Sequence, residues 1–299
     1  MSTTSTHLLT LRPSQFSLSQ HQLPTTPTLL SSLTTQVTAK MATLLQITPT
    51  FSCYTASEHE AKHIFKEIFL DNCYSTPNLP PSPFIIDAGA NIGLFTLHTK
   101  QAYPTATILA FEPAPLTYDV LRQNLALHGL SEDAGIETHK FGLGTEEGIA
   151  KFTYYPSAPG NSTLFPDQKE GLIELVMQKF PEHGAKAMEK WLSNGTEVSI
   201  PIQRLSYFLR EREQRGLKVE RIDLLKMDVE GAEFDVLGGL DEEHWALVRN
   251  VVLEISDVRN EGALARMRRL LEGRGFVVES GATHPDFSEE IFVVKARRV

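Results

Sequence analysis

The sequence predicts an α/β fold built on a doubly wound, mostly parallel sheet. Short apolar runs alternate with helical segments from residue 84 onward, and turn residues or acids bound most of the runs. Such alternation is typical of parallel sheets with helices on both faces. Two apolar runs near the C-terminus add an antiparallel terminal strand, and a β/helical insertion at about 151–203 interrupts the alternation.

Three regions are predicted along the chain. Residues 1–50 are rich in Ser and Thr without a persistent apolar period, which is typical of a poorly structured extension. Residues 51–83 predict a helix and a Pro-rich linker that cap the site, because apolar residues recur at helical spacing within 58–74. Tyr74 at the end of that segment could line a substrate pocket or belong to the core. Residues 84–299 form the main domain.

The elements of the main domain follow from its apolar runs and their boundaries. Strands are predicted at 84–88, 107–111, 136–143, 151–155, 197–202, 222–227, 250–255, 276–279 and 291–295. Helices are predicted at 92–103, at 116–128, at 168–191 with an interruption at 181–184, from 232, and at 263–273. Gly129 follows the second of these helices, where a glycine commonly forms the C-cap.

Charge and composition exclude several classes of partner. The 299 residues include 28 Lys and Arg against 37 Asp and Glu, a formal net charge of −9. An acidic chain lacks the positive face that nucleic-acid phosphates require. No run approaches the roughly 20 apolar residues of a membrane span. A cytoplasmic location is expected, although the acid-free first 57 residues leave an organelle transit peptide open. Two cysteines are too few for a disulfide framework.

The first motif with chemical content, Asp87-Ala88-Gly89-Ala90-Asn91-Ile92-Gly93, joins a strand end to a helix start. Ligands of open α/β sheets bind at this position, and glycines let them approach the backbone. The middle glycine of a dinucleotide fingerprint is missing, and the strand ends in an acid. A carboxylate would repel a pyrophosphate but suits an ammonium group, such as that of S-adenosylmethionine (SAM). A tight turn without a ligand is the alternative.

Glu112 is the second candidate, because it ends the next strand 19 residues after Gly93. Pro113 stops that strand and leaves the carboxylate at its tip. An acid at this position can accept hydrogen bonds from both hydroxyls of a ribose. Together with the first motif, it indicates a ligand that contains adenosine.

A third motif, at residues 225–233, again ends a predicted strand with acids, Asp228 and Glu230. These carboxylates could position a substrate, accept its proton, or hold a divalent ion together with Glu254 at the next strand end. The alternative for Glu230 and Glu233 is that they complement the dipole of the following helix. No His or further clustered acid completes a set of ligands, so no metal is predicted.

Four segments together resemble FkbM-type methyltransferases, which use SAM and mostly methylate hydroxyl oxygens. They are DAGANIG, FEP, GNST at 160–163, and LLKMDVEGAE, and the resemblance runs from about residue 64 to residue 295. It implies a Rossmann-like class I methyltransferase fold. The candidate cofactor-binding residues are Asp87, Ala88, Gly89, Ala90, Asn91, Gly93, Glu112, Pro113, Gly142, Asn161 and Ser162.

One position departs from the family pattern. The family usually has Leu-Asp after the hairpin strand, whereas this chain has Leu205-Ser206. The missing acid puts any capping or site role at this position in doubt. Ser206 could still cap a helix that begins at Tyr207.

The predicted activity is SAM-dependent methyl transfer to a small-molecule hydroxyl in secondary metabolism. Asp228 is the first candidate for the base that removes the hydroxyl proton, and Glu230 is the second. An N-methyltransferase acting on an amine or a peptide terminus is the alternative, and an inactive SAM-fold interaction protein is a more remote one. An RNA methyltransferase is disfavoured by the acidic charge. The oligomeric state stays open, with a homodimer among the options.

Overall fold

The computed structural model describes residues 42–76, 78–130, 134–180, 192, 194–282 and 289–298. All of them belong to the unit Ala39–Val299. The described strands are β1 (Thr43–Thr48), β2 (Phe51–Thr55), β3 (Phe84–Ala88), β4 (Thr107–Phe111), β5 (Ile136–His139), β6 (Gly142–Leu143), β7 (Gly148–Tyr154), β8 (Thr196–Gln203), β9 (Leu224–Met227), β10 (Asn250–Ser256), β11 (Phe276–Ala282) and β12 (Ile291–Arg298).

Eight α-helices lie within the described residues. They are α1 (Glu58–Phe65), α2 (Leu94–Ala102), α3 (Pro115–Leu127), α4 (Pro166–Lys179), α5 (Leu205–Gln214), α6 (Glu233–Gly238), α7 (Glu242–Trp245) and α8 (Ala263–Gly273). A π-helical turn, Lys66–Leu70, continues α1. The second half of the helix predicted at 168–191 lies outside the described residues. None of the described helices has the length and apolar character needed to cross a bilayer.

The central sheet has the order β11-β12-β10-β9-β3-β4-β5. Its five strands from β10 to β5 pair in parallel. Strand β12 runs antiparallel to both of its neighbours. The predicted doubly wound sheet with an antiparallel terminal strand is therefore confirmed.

Alternate residues of each central strand enter two separate cores. Ile86 and Leu109 belong to the core on one face, and Ile85 and Ile108 belong to the core on the other. Because successive side chains of a strand point to opposite faces, near-continuous apolar runs require helices on both sides. Because β9, β3 and β4 are adjacent and parallel, their carboxyl ends lie side by side, at the edge where ligands of such sheets bind.

The predicted third strand at 136–143 is wrong as a single element. Strand β5 ends at His139, and Gly142–Leu143 forms β6 in a separate three-stranded sheet of order β6-β8-β7. A Cβ on Gly142 would lie 2.6 Å from the Ile202 side chain. The missing side chain therefore lets β6 lie against β8 after the chain has left the central sheet.

An antiparallel hairpin of β1 and β2 precedes α1 and was not predicted. Strand β1 falls within the 1–50 segment that was expected to be poorly structured, and residues 1–41 lie outside the described part. The Phe51 ring lies 5.0 Å from the Phe65 ring and 4.8 Å from the Phe69 ring. The hairpin and α1 therefore share one apolar contact, which the local sequence pattern did not reveal.

Two helix boundaries test the expectations about capping. Helix α3 ends as predicted, because Gly129 has φ +69° and the Leu130 N–H donates to the Leu125 carbonyl at 2.9 Å. The predicted Ser206 cap is wrong, because α5 already begins at Leu205. The Ser206 hydroxyl instead accepts the Asp241 N–H at 2.7 Å and bonds the His244 ring nitrogen Nδ1 at 2.7 Å.

Candidate active site

A cleft opens at the carboxyl ends of β3, β4 and β9. Nine of the predicted site residues line it: Ala88, Gly89, Asn91, Glu112, Pro113, Gly142, Ser162, Asp228 and Glu230. Apolar side chains that were not predicted as site residues complete the wall: Phe111, Phe141, Leu143, Phe152, Leu164, Ile200 and Val229. The cleft thus combines an apolar wall with a few polar groups, as small-molecule sites usually do.

Gly89 brings three strand ends together at the floor of the cleft. Its φ is +74°, and a Cβ there would lie 1.8 Å from the Asp228 carbonyl oxygen. The Gly89 and Ala90 N–H groups both donate to the Phe111 carbonyl, at 3.0 and 2.8 Å. Only glycine fits this close approach of the β3 and β9 ends.

Backbone groups hold the Glu112 carboxylate at the tip of β4. It accepts the Asn91 N–H at 3.0 Å and the Ala114 N–H at 2.9 Å. Burial raises the pKa of Glu112 to about 7, against the two backbone hydrogen bonds, which lower it. The carboxylate is therefore fixed in direction and retains lone pairs for a ligand with hydroxyl donors.

Asn91 adds an unsatisfied acceptor to the same wall. Its backbone adopts φ +49°, and its side-chain oxygen Oδ1 is buried without a hydrogen-bond donor in the described protein. Buried acceptors are rarely left unpaired in folded proteins. This position therefore suits a ligand that brings a donor, such as an ammonium group.

Asp87 lies beneath the cleft and is not among the residues that line it, and its role in the cofactor site stays a prediction. Its side chain is fully buried, accepts the Thr96 hydroxyl at 2.8 Å and lies 3.1 Å from the Lys226 ammonium. Lys226 occupies the partner position of Asp87 in the parallel β3–β9 register. The Asp87 carboxylate thus neutralises a buried lysine of the neighbouring strand, a pairing that only the sheet order could show.

The other three predicted cofactor residues also stand behind the lining. Ala90 is 3% exposed within the core. Gly93 is the N-cap of α2 with φ +89°, where a Cβ would lie 2.5 Å from the Leu121 side chain. Asn161 accepts a hydrogen bond from Lys169 at 3.2 Å. These residues shape the loops that carry the lining residues.

Asp228 stands at the other side of the cleft, directly after β9. Its side chain is 37% exposed, its oxygen Oδ2 accepts the Tyr74 hydroxyl at 2.9 Å, and Lys226 lies 4.0 Å from the same oxygen. Within the described residues, both of these contacts involve Oδ2. The second oxygen, Oδ1, is thereby the one available to a ligand.

Glu230 is engaged by the insertion. Its carboxylate forms an ion pair with Lys169 of α4, and its carbonyl accepts the Thr163 hydroxyl at 2.6 Å. Burial raises the pKa of Glu230, against the nearby Lys169, which lowers it. Burial lowers the pKa of Lys169, but the Glu230 carboxylate raises that pKa by more, so the net shift is upward. The pair anchors α4 to the β9 end.

Comparison with known proteins identifies this architecture. The family model of the methyltransferase FkbM domain matches residues 87–278. The chain belongs to the FkbM methyltransferase family.

Three curated relatives align over most of this family member. Methyltransferase sdnD of Sordaria araneosa is 48% identical, with 75% of this chain and 85% of the relative covered. Methyltransferase 1 of Beauveria bassiana is 44% identical, covering 82% and 92%. The 31-O-demethyl-FK506 methyltransferase FkbM of Streptomyces tacrolimicus is 35% identical, covering 80% and 90%.

This FkbM family member is a SAM-dependent methyltransferase. The cleft residues fit the cofactor: Asn91 Oδ1 lacks a donor, Gly89 opens the floor, and the Glu112 carboxylate is held for hydroxyl groups. When bound, SAM supplies an electrophilic methyl group on a sulfonium.

The sequence predicts Glu254 at the end of a strand, but the structure places it elsewhere. It lies inside β10, two residues before the end of the strand. Burial and the neighbouring carboxylates of Asp228 and Glu230 raise its pKa well above the usual range. Among the described side chains, the convergent ligand set is Asp241, Glu243 and His244. That set lies outside the cleft lining, and Asp241 pairs there with Arg204 and Arg210.

Sequence reasoning missed two of the cations that organise this FkbM site. Lys226 interrupts an apolar strand in the quoted LLKMDVEGAE segment, and a lysine at such a position is a signal for a buried acidic partner. Lys169 gave no local signal, because its partner Glu230 is 61 residues away in the chain.

Proposed function

We propose that the enzyme transfers methyl to a hydroxyl oxygen of a small molecule in secondary metabolism. The observation that carries this proposal is the partly exposed Asp228 carboxylate on the cofactor cleft, with one oxygen available. The name of the relative from Streptomyces tacrolimicus, a 31-O-demethyl-FK506 methyltransferase, supports an oxygen acceptor.

Asp228 would receive the proton of the acceptor hydroxyl. An alcohol is a weak nucleophile while it holds its proton, so a base within hydrogen-bond distance lowers the barrier. Glu230 is the second candidate, but its ion pair with Lys169 engages its carboxylate. Orientation of the hydroxyl against the methyl group would supply a further part of the rate.

The experiment uses methyl-labelled SAM and an extract of the producing organism, followed by identification of the labelled product. We expect Asp228→Asn to lower the transfer rate about a hundredfold or more, as removal of a general base does. SAM affinity, measured by equilibrium dialysis, should stay within about threefold of the parent protein. Asp119→Asn is the matched control, because this carboxylate lies on α3 and pairs with Lys140.

Two results would contradict the proposal. If Asp228→Asn transfers methyl within about threefold of the parent rate while SAM still binds, Asp228 is not the base. If no SAM binds at millimolar concentration, the methyltransferase function itself fails.

An N-methyltransferase is the second candidate. The supporting observation is the group of carboxylates at the end of β9 and in β10, where Asp228 raises the pKa of Glu230 and both raise the pKa of Glu254. Such a group attracts a cationic amine. Identification of the methylated atom in the labelled product decides between the two acceptors, because an N-methyl product excludes the hydroxyl proposal.

A further inference from the structure

Tyr74 lies outside the segment that matches the FkbM family model, residues 87–278, and contacts Asp228 of the cleft lining. It lies in the chain between α1 and β3, is 8% exposed, and donates its hydroxyl to Asp228 Oδ2 at 2.9 Å. The two residues are 154 positions apart. The N-terminal segment therefore contacts the residue that the proposed function assigns as the base.

Two neighbours contact the Tyr74 ring. It packs edge-on against Phe95, with centroids 6.0 Å apart and an interplanar angle of 82°. The Lys226 ammonium lies 5.2 Å from its centroid. Lys226 itself is fixed by a hydrogen bond to the Gly89 carbonyl at 2.8 Å and by Asp87. A ring fixed in this way pre-organises its hydroxyl toward Asp228.

The charged groups around the contact keep Tyr74 a donor. Burial raises the pKa of Tyr74 well above the usual range, and the carboxylates of Asp228, Glu254 and Glu67 raise it further. The phenol therefore keeps its proton at neutral pH and donates a hydrogen bond to the carboxylate. The lysines that face this group of carboxylates from the other elements are Lys226 of β9 and Lys169 of α4.

We propose that Tyr74 is a positioning residue that fixes the Asp228 carboxylate for proton removal. The phenol occupies Oδ2, so that Oδ1 remains for the acceptor hydroxyl. A carboxylate free to rotate would share its time among several geometries, and proton transfer depends on one of them. This inference rests on the proposed function, because it assigns Tyr74 a role through the base of that reaction.

A double-mutant cycle tests the coupling, with methyl-labelled SAM and the same extract as acceptor source. Tyr74→Phe keeps the ring and removes only the hydroxyl. We expect it to lower the transfer rate about tenfold, in line with the loss of one hydrogen bond to a charged group. In the Asp228→Asn background the same change should alter the rate less than about twofold, because coupled residues are not additive. SAM binding by equilibrium dialysis should remain within about twofold.

The split between kcat and KM separates positioning from a packing defect. Loss of the donor misplaces the Asp228 carboxylate without changing the cofactor site, so Tyr74→Phe should lower kcat and leave the KM for SAM within about twofold. Tyr118→Phe is the matched control, because it also removes a hydrogen-bonded phenol, one that contacts the Thr138 carbonyl on β5. We expect the Tyr118 variant to keep the parent kcat and KM for SAM.

Three results would overturn the inference while the proposed function stands. They are an unchanged rate in Tyr74→Phe, an equal loss in both backgrounds, and a parallel loss of SAM binding, which would make Tyr74 structural. Absence of methyl transfer by the parent protein would instead overturn the proposed function and this inference with it. That outcome is recognised before any substitution is made.

Discussion

Three acids at neighbouring strand ends lie in different surroundings because their partners differ. Asp87 is neutralised by Lys226 below the cleft, Glu112 is fixed by backbone N–H groups, and Asp228 is bonded by Tyr74 through one oxygen. The sequence placed all three at one edge of the sheet, and the strand order confirms that placement. Only the packing of the neighbouring strands shows which carboxylate is open to a ligand.

A pair of glycine variants tests the close approach at the cleft floor. Gly89 and Gly129 both have positive φ, but a Cβ on Gly89 meets the Asp228 carbonyl, whereas a Cβ on Gly129 meets nothing within 4 Å. We expect Gly129→Ala to cost about 1 kcal/mol of unfolding free energy from backbone strain and to leave SAM binding unchanged. Gly89→Ala should abolish SAM binding in equilibrium dialysis. Equal effects of the two variants would refute the close-approach argument.

The carboxyl of Glu60 gives a prediction about pH. Its oxygen Oε1 accepts the Gly160 N–H at 2.8 Å, and burial raises its pKa from 4.5 to about 7. Between these values the folded chain holds a proton that the unfolded chain releases, so this group lowers stability as pH rises. The glutamine of Glu60→Gln does not titrate. The free energy of unfolding of this variant should therefore rise by about 2 kcal/mol relative to the parent as the pH increases from about 5 to about 8.

Chemical denaturation at the two pH values measures this gain for Glu60→Gln. The matched control is Glu197→Gln, which changes an exposed carboxylate on β8. A difference between Glu60→Gln and the parent that does not vary with pH would show that Glu60 ionises as readily in the folded chain as in the unfolded one.

At the scale of elements, the local sequence pattern predicted the bounds correctly where a single run of residues forms a single element. Strands β3 and β4 and helix α8 match their predicted bounds to the residue. Their apolar runs end at an acid, a proline or a glycine, and those boundaries are local. The split between β5 and β6 depends on a second sheet whose partner strand, β8, comes about 60 residues later in the chain. A pairing at that distance leaves no signal in the run itself.

Helix α4 of the insertion is expected to form a wall for the acceptor rather than for SAM, because none of its residues lines the cofactor cleft. Helix α4 is held by the Lys169–Glu230 pair and by Arg259, which donates to the Asp167 carbonyl at 3.0 Å. Replacement of residues 166–191 by a short Gly/Ser linker should reduce turnover far more than SAM affinity. Labelled transfer and equilibrium dialysis measure the two effects, and equal losses would indicate a purely structural role.

For the whole molecule, the hairpin and α1 are part of the core and not an appendage. Phe51, Phe65 and Ile68 are buried in one cluster with Ile85 and other residues of the central sheet. Burial of each such side chain contributes about 2 kcal/mol, and a domain has only about 5–15 kcal/mol of net stability. The folded unit therefore extends well upstream of the family match.

Two truncations test this extent. Removal of residues 1–38 follows the boundary of the compact unit and should preserve SAM binding. Removal of residues 1–83 takes away the hairpin, α1 and Tyr74, and should yield a protein that aggregates or melts at lower temperature. The readout is the rise in melting temperature on adding SAM, which a binding-competent fold shows. Equal SAM-dependent stabilisation of both forms would contradict the assignment of residues 51–83 to the core.

The sequence by itself determined the α/β class, the strand ends that carry the acids, and the family, because these depend on local runs and motifs. The tertiary structure decided which acid meets which partner. Asp87 pairs with Lys226, Glu230 with Lys169, and Asp228 with Tyr74 across gaps of 61 to 154 residues. Coulomb and hydrogen-bond energies fall steeply with distance in space and are indifferent to distance along the chain, so these pairings exist only once the sheet has brought the strand ends together.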